Sequence, residues 1–177
     1  MGAGAARLEG ARLLAVDTGA RFCGLAARLQ PLVGPQPYGH IERSSPCNFI
    51  LNQQTSKQKT PFNSQADALW QVIQQNQIHL LVVGMPFAAD STRTKECNIV
   101  ERTVDKWQAS WPNRLPVLFW DESWSTRITA SGRGRKFLSD PRSHSAVACL
   151  LLQEVLHPAN ERTKNWLERA YRESGVQ

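Results

Sequence analysis

Two places in this chain put carboxylates where phosphoryl chemistry needs them. Leu13-Leu14-Ala15-Val16 is an apolar run of the kind that forms a buried strand, and it ends on Asp17 before a Thr18-Gly19 turn. Far downstream, Pro116-Val117-Leu118-Phe119-Trp120 repeats the pattern and ends on Asp121-Glu122. A carboxylate at the end of a buried strand must be paired, hydrogen-bonded or holding a cation, because an unpaired buried charge is costly. One such residue is explained as the cap of its own turn. Two, delivered by separate strands, can converge on divalent ions about 3.5–4 Å apart, which activate a water and stabilise the leaving oxygen of a phosphodiester. Magnesium takes such oxygen ligands.

Cations suited to a polyanion are clustered too. Ser123 to Arg142 carries Arg127, Arg133, Arg135, Lys136 and Arg142 against a single acid, Asp140. Within it, Gly132-Arg133-Gly134-Arg135-Lys136 reads as a flexible, cationic hinge. The stretch between Glu42 and Asp67 holds Arg43, Lys57 and Lys59 and no acid, which fits either a solvated loop or a phosphate-contacting arm. The net charge of +6 and a pI near 9.5 point the same way, since lysines and arginines that neutralise phosphates release counterions.

These residues need a scaffold, and 177 residues suffice for one domain with a real core. Apolar content of 41% with 20% charged residues is that of a soluble globular chain. Cys23, Cys47, Cys97 and Cys149 show no C-x-x-C spacing, which argues against a zinc site and for reduced thiols inside a cell. No apolar run approaches the roughly 20 residues of a membrane span. Met1 to Gly10 lacks the apolar centre of a signal peptide. A cytoplasmic protein is expected, or one of an organelle.

In chain order, Phe22 to Ala27 is a second strand, joined to the first through Ala20-Arg21 as a hairpin. Gln30 to Pro61, rich in Pro, Gly, Ser and Gln, reads as a long excursion with a weak strand at His40 to Arg43. Ser64 with Asp67 resembles a capping box that opens a helix ending near Asn76, with Leu69, Val72 and Ile73 on its buried face. His79 to Pro86 is apolar without alternation, as in a strand covered on both faces, with His79 as a structural edge residue. Cys97, Val100, Val104, Trp107 and Trp111 recur at intervals of three and four, predicting a helix over Thr92 to Trp111. Asp140 caps a further helix with Pro141 at its first position, and the buried run Ser145 to Leu156 continues it. A charged helix, Glu161 to Arg172, packs through Trp166, Leu167 and Tyr171. The order of elements is α/β: residues 11–158 form the principal domain and 159–177 a charged C-terminal helix.

The motifs together resemble the YqgF/RuvX family of Holliday-junction-resolvase-like proteins. The matching pieces are Leu14-Ala15-Val16-Asp17-Thr18-Gly19 with Arg21 and Gly24-Leu25-Ala26, then Val82-Val83-Gly84-Met85-Pro86. Asp121-Glu122 with Ser125-Thr126 follows, and last Ser145-Ala146-Val147-Ala148 leading into Leu150-Leu151-Leu152-Gln153. They span residues 13 to 156 in the family's order. The resemblance implies an RNase H-like α/β fold, a mixed central sheet flanked by helices, and a nuclease dependent on Mg2+ or Mn2+. Family members are linked to processing the ends of the small-subunit ribosomal RNA precursor, and others in the superfamily cut Holliday junctions. Carried over by position, Asp17 is the first metal ligand and bridges both ions. Glu122 or Asp121 is the second and orients the water, while Gly84 and Pro86 shape the strand end. Arg21, Arg127, Arg133, Arg135, Lys136 and Arg142 would hold nucleic acid.

Three positions depart from the family pattern: His144 stands where an Asp precedes the Ser-x-Ala-Ala stretch, Ser123 where a basic residue follows the acidic pair, and Ser91 where a Gly follows Asp90. His144 leaves three readings open. Its imidazole ligates a metal and tilts preference towards manganese; Asp140, one helical turn earlier, supplies the carboxylate; or catalysis has lapsed and a nucleic-acid-binding protein remains. The expected partner is ribosomal RNA precursor, cut near its 5' end, with branched DNA as the other substrate class, and the chain acts as a monomer or homodimer. An actin-like sugar kinase shares the strand-Asp-x-Gly opening, but this chain is too short for two such lobes.

Overall fold

The computed structural model describes residues 10–44, 46–51, 59–122 and 140–157. Arg127, Arg133, Arg135, Lys136, Lys57 and the expected helix at 161–172 lie outside them. The described elements are β1 (Leu13–Thr18), β2 (Phe22–Arg28), β3 (Gln36–Glu42), β4 (Cys47–Leu51), β5 (Lys59–Phe62), α1 (Gln65–Asn76), β6 (Leu80–Met85), α2 (Lys95–Ser110), β7 (Val117–Asp121) and α3 (Pro141–Val155). The strands form one mixed sheet in the order β5-β4-β3-β2-β1-β6-β7. β1 pairs antiparallel with β2 and parallel with β6, and β6 parallel with β7. The parallel pairs align the ends of β1, β6 and β7, so residues that follow them emerge at one sheet edge.

The two faces are covered by different helices, and the side-chain alternation of β1 shows it. Leu14 and Val16 belong to the core under α1 and α2, whereas Leu13 and Ala15 pack with Ala148, Leu151 and Leu152 of α3. All of Leu13 to Val16 are fully buried, each large side chain contributing about 1.5–3 kcal/mol of transfer free energy. A strand dry on both faces must read as a continuous apolar run, and β6 (LLVVGM) obeys the same rule. On the α1/α2 side, Trp111 stacks on Trp70 with ring centres 5.5 Å apart and donates its indole N–H to the Ala66 carbonyl.

Helix boundaries follow from their caps. The Ser64 hydroxyl accepts from the Asp67 amide to open α1, and Asp140 accepts from the Arg142 amide to open α3, with Pro141 in the first turn. α2 begins later than its periodicity suggests. The Asp90 carboxylate takes up the amide and hydroxyl of Thr92, so the chain turns there and Thr94 is the cap.

The excursion expected over Gln30 to Pro61 requires correction, because β3, β4 and most of β5 lie within it and extend the sheet antiparallel from β2. The weak strand expected from His40 is the second half of β3; Pro37 hid the first half, and it is tolerated because the register shifts beside its partner Ala26. Pro61 sits on β5, an edge strand of the described sheet, where a missing N–H costs little. His79, as expected, has a structural role at the edge of the β1–β6 pair, where its Nδ1 accepts from the Arg12 amide. No helix among the described residues is long and apolar enough to cross a membrane.

Candidate active site

Asp17 is the last but one residue of β1, on the α3 side of the sheet, opposite Gly24 of β2. Its side chain is only 10% exposed, yet the end of a parallel strand opens it towards the sheet edge. Across that edge, β7 has just ended at Asp121, and the Glu122 amide donates to the Met85 carbonyl at the end of β6. This contact folds Glu122 back over Gly84. A Cβ at Gly84 would collide with Glu122 Oε2 and would stand 3.0 Å from Leu151 Cδ1, so only glycine leaves room for the carboxylate here.

Glu122 hydrogen-bonds to Asp17, and its pKa is pushed from 4.5 up to about 8. Burial is the main cause; the Asp17 charge, the hydrogen bond to Asp17 and the Asp121 charge add to it. Two carboxylates crowded in a dry site cannot both ionise cheaply, and Glu122 is the one that keeps a proton. Asp121, the alternative considered from sequence, is the last residue of β7; alternation along that strand places it on the face of Val117, away from Leu118 and Trp120, which pack on the α3 side.

The third group comes from α3. His144 Nδ1 lies 2.7 Å from Asp17 Oδ2, and both side chains are nearly buried. The helix reaches this depth because β2 carries Gly24, where any Cβ would overlap the His144 carbonyl and the Ser145 amide. Ser145 then anchors the turn, its buried hydroxyl donating to the Gly39 carbonyl at 2.6 Å. Asp140 stays outside: it is exposed and its carboxylate caps α3. Three side chains from three separate segments, Glu122, Asp17 and His144, thus meet in one hydrogen-bonded row.

Cations flank this row. Arg21 is exposed, with its guanidinium 5.6 Å from the centre of the Phe22 ring, and Phe22 in turn lies against His144, ring centres 6.4 Å apart. Arg43 joins it: its amide donates to the Arg21 carbonyl and its guanidinium to the Gly19 carbonyl at 3.1 Å. The sequence put Arg43 on a loose arm; only the pairing of β2 with β3 brings it beside Gly19, two residues from Asp17, and no local signal reveals that. Arg142 is exposed on the first turn of α3. Arg127, Arg133, Arg135 and Lys136 fall outside the described residues. Thiol chemistry at this site is disfavoured, because burial pushes the neighbouring Cys23 up to about 12.

Among the described residues, no three His, Cys, Asp or Glu side chains are grouped as a metal cage. The donor set nevertheless fits one hard divalent ion. Magnesium is commonly held by only one or two carboxylates, with waters and substrate phosphates completing its shell, and Asp17 facing Glu122 supplies that pair.

A family model described as RuvX: Holliday junction resolvase matches residues 11–158. The chain is 28% identical over 152 residues to the "Putative pre-16S rRNA nuclease" of Chlorobium phaeobacteroides (strain BS1), covering 82% of this chain and 91% of that protein. The protein of the same name from Chlorobium luteolum is 35% identical over 94 residues, covering 50% of this chain and 66% of that one. Among solved structures, Thermus thermophilus RuvC in complex with Holliday junction substrate aligns with a TM-score of 0.40 at 10% identity, over 82% of this chain and 94% of that one. With the match covering every described element, and a mixed sheet flanked by helices on both faces, the chain belongs to the RuvX family and has an α/β fold.

Proposed function

We propose that this protein is a divalent-metal-dependent nuclease that hydrolyses phosphodiester bonds in structured nucleic acid, with the 5' region of ribosomal RNA precursor as its substrate. The convergence of Asp17 and Glu122 at the aligned ends of β1, β6 and β7 carries this reading. The relatives named for pre-16S rRNA support the choice of substrate; the family's own description makes branched DNA the competitor to include in assays.

Asp17 and Glu122 would hold Mg2+ or Mn2+, with Asp121 adding negative charge beside them. Bound there, the ion supplies water activation and stabilisation of the leaving oxygen. The chain's own residues do the rest. His144 fixes the rotamer of Asp17; as a ligand, its place in the sequence reading, it would have to leave that contact. Glu122 would bind the ion as a carboxylate, so the proton that burial lets it keep in the metal-free site must leave as the ion enters, and metal affinity is expected to rise with pH up to about 8. Arg21, Arg43 and Arg142, with Arg127, Arg133, Arg135 and Lys136 of the basic segment, would grip the phosphate backbone of a substrate bound to one or two copies of the chain.

The test is cleavage of a structured precursor RNA with magnesium and manganese compared, intact protein beside Asp17→Asn. Metal-dependent cutting that falls by about 100-fold or more in the variant, with RNA affinity retained, is expected. Equal cutting by both proteins would refute the assignment. A second reading, a nucleic-acid-binding protein without catalysis, is favoured by the single observation that a histidine already occupies Asp17 Oδ2. Tight, salt-sensitive binding with no cutting in either metal would establish it instead.

A further inference from the structure

We propose that His144 is a positioning residue for Asp17 and not a metal ligand, so that the site takes one divalent ion per chain. This rests on the reading that Asp17 and Glu122 bind metal, and it deepens that reading.

The His144 nitrogen that faces Asp17 is Nδ1, at 2.7 Å from Oδ2. The other ring nitrogen points away, because the two lone-pair directions of an imidazole diverge widely. An ion bound about 2.1 Å from Nε2 would stand roughly 6–7 Å from Oδ2, three times a ligand distance, so His144 and Asp17 cannot share an ion in this arrangement. Reorienting the ring is obstructed on several sides. Gly19 lies so close beneath it that a Cβ there would overlap Cε1 and come within 2.9 Å of Nδ1. Phe22 packs across the ring. The backbone at 144 is pinned by Gly24 and by the Ser145–Gly39 hydrogen bond.

With one acceptor site of Oδ2 taken by the His144 ring, a second ion on Asp17 has to compete with that contact, where a carboxylate at 144 would instead add a ligand to it. Asp121 does not restore the missing donor, since alternation along β7 places it on the Val117 face and not on the α3 side where Asp17 lies. A histidine that orients a metal-binding carboxylate is the mirror of the familiar carboxylate that orients a metal-binding histidine.

Manganese binding to the full chain tests this without reference to activity. Equilibrium dialysis is expected to give one Mn2+ per chain, and pulsed electron paramagnetic resonance of the loaded protein to show no directly coordinated 14N. Two ions per chain, or the strong 14N modulation of a bound imidazole, would overturn the inference while leaving the metal reading intact. No Mn2+ bound would overturn both. His144→Asp should bring the count to two, and a count still at one in the folded variant would refute His144 as what excludes the second ion. If His144→Asp does not fold, the stoichiometry and spectrum of the intact protein decide alone.

Discussion

Glu122→Gln isolates the central electrostatic claim. In the folded chain Glu122 titrates near 8, against 4.5 for an ordinary glutamate. Between these values the folded state holds a proton that the unfolded state has released, so stability falls as pH rises. The slope for one proton is about 1.4 kcal/mol per pH unit, and from pH 5 to 8 the wild-type protein should lose roughly 4 kcal/mol through this group alone. The loss is complete once pH passes the folded value. Glutamine keeps the shape, can still donate to Asp17 and has nothing to titrate. Urea denaturation at pH 5, 6, 7 and 8, with chelator present, should therefore show the variant gaining on wild type by about 1.4 kcal/mol per unit, most of it by pH 8. Parallel stability curves for the two proteins would refute the burial of a shared proton between Glu122 and Asp17.

Gly84→Ala should displace Glu122, because its Cβ would collide with Oε2; a loss of about 2 kcal/mol in urea denaturation together with loss of cleavage is expected, and wild-type values of both would contradict the packing. Ser91, with φ of 63°, occupies the left-handed region in the turn after β6, so Ser91→Gly should stabilise by about 0.5–1 kcal/mol and raise the melting temperature by about 1–4 °C. Arg21→Ala combined with Arg43→Ala should flatten the log–log salt dependence of RNA affinity by about 0.7–0.9 for each phosphate the two arginines neutralise, measured by filter binding at several ionic strengths.

Much of this scaffold could be read from the chain because its signals are local. The unbroken apolar runs of β1 and β6, the Ser64 and Asp140 caps and the three-four spacing along α2 each arise from neighbours a few residues apart. Only the second half of β3 was legible, as a weak strand from His40, and β5 was not, since Pro37 and Pro61 are strand breakers unless a register shift or a sheet edge accommodates them, and neither exists before the sheet is assembled. The same limit applied to the site. Asp17 and Glu122 announced themselves as polar ends of buried runs. Arg43 did not, because its place beside Gly19 depends on β2 pairing with β3, and sequence alone left three readings for His144.

Ser91 and His144 show how a departure from a family pattern can be local in consequence. At 91 the backbone keeps the conformation that glycine favours, so the turn survives at an energetic cost confined to one residue. At 144 the backbone is held by contacts that do not involve the side chain: Gly24 leaves space for the carbonyl, and Ser145 bonds to Gly39. A carboxylate exchanged for an imidazole there is therefore expected to change what faces Asp17 and to leave α3 in place. The fold therefore sets where the third group stands, and the residue at that place sets whether Asp17 meets a negative oxygen, which a further cation must reconcile, or a nitrogen that hydrogen-bonds to it directly. Chemistry at this sheet edge can change by one substitution because the helix that delivers the residue is anchored one residue further on.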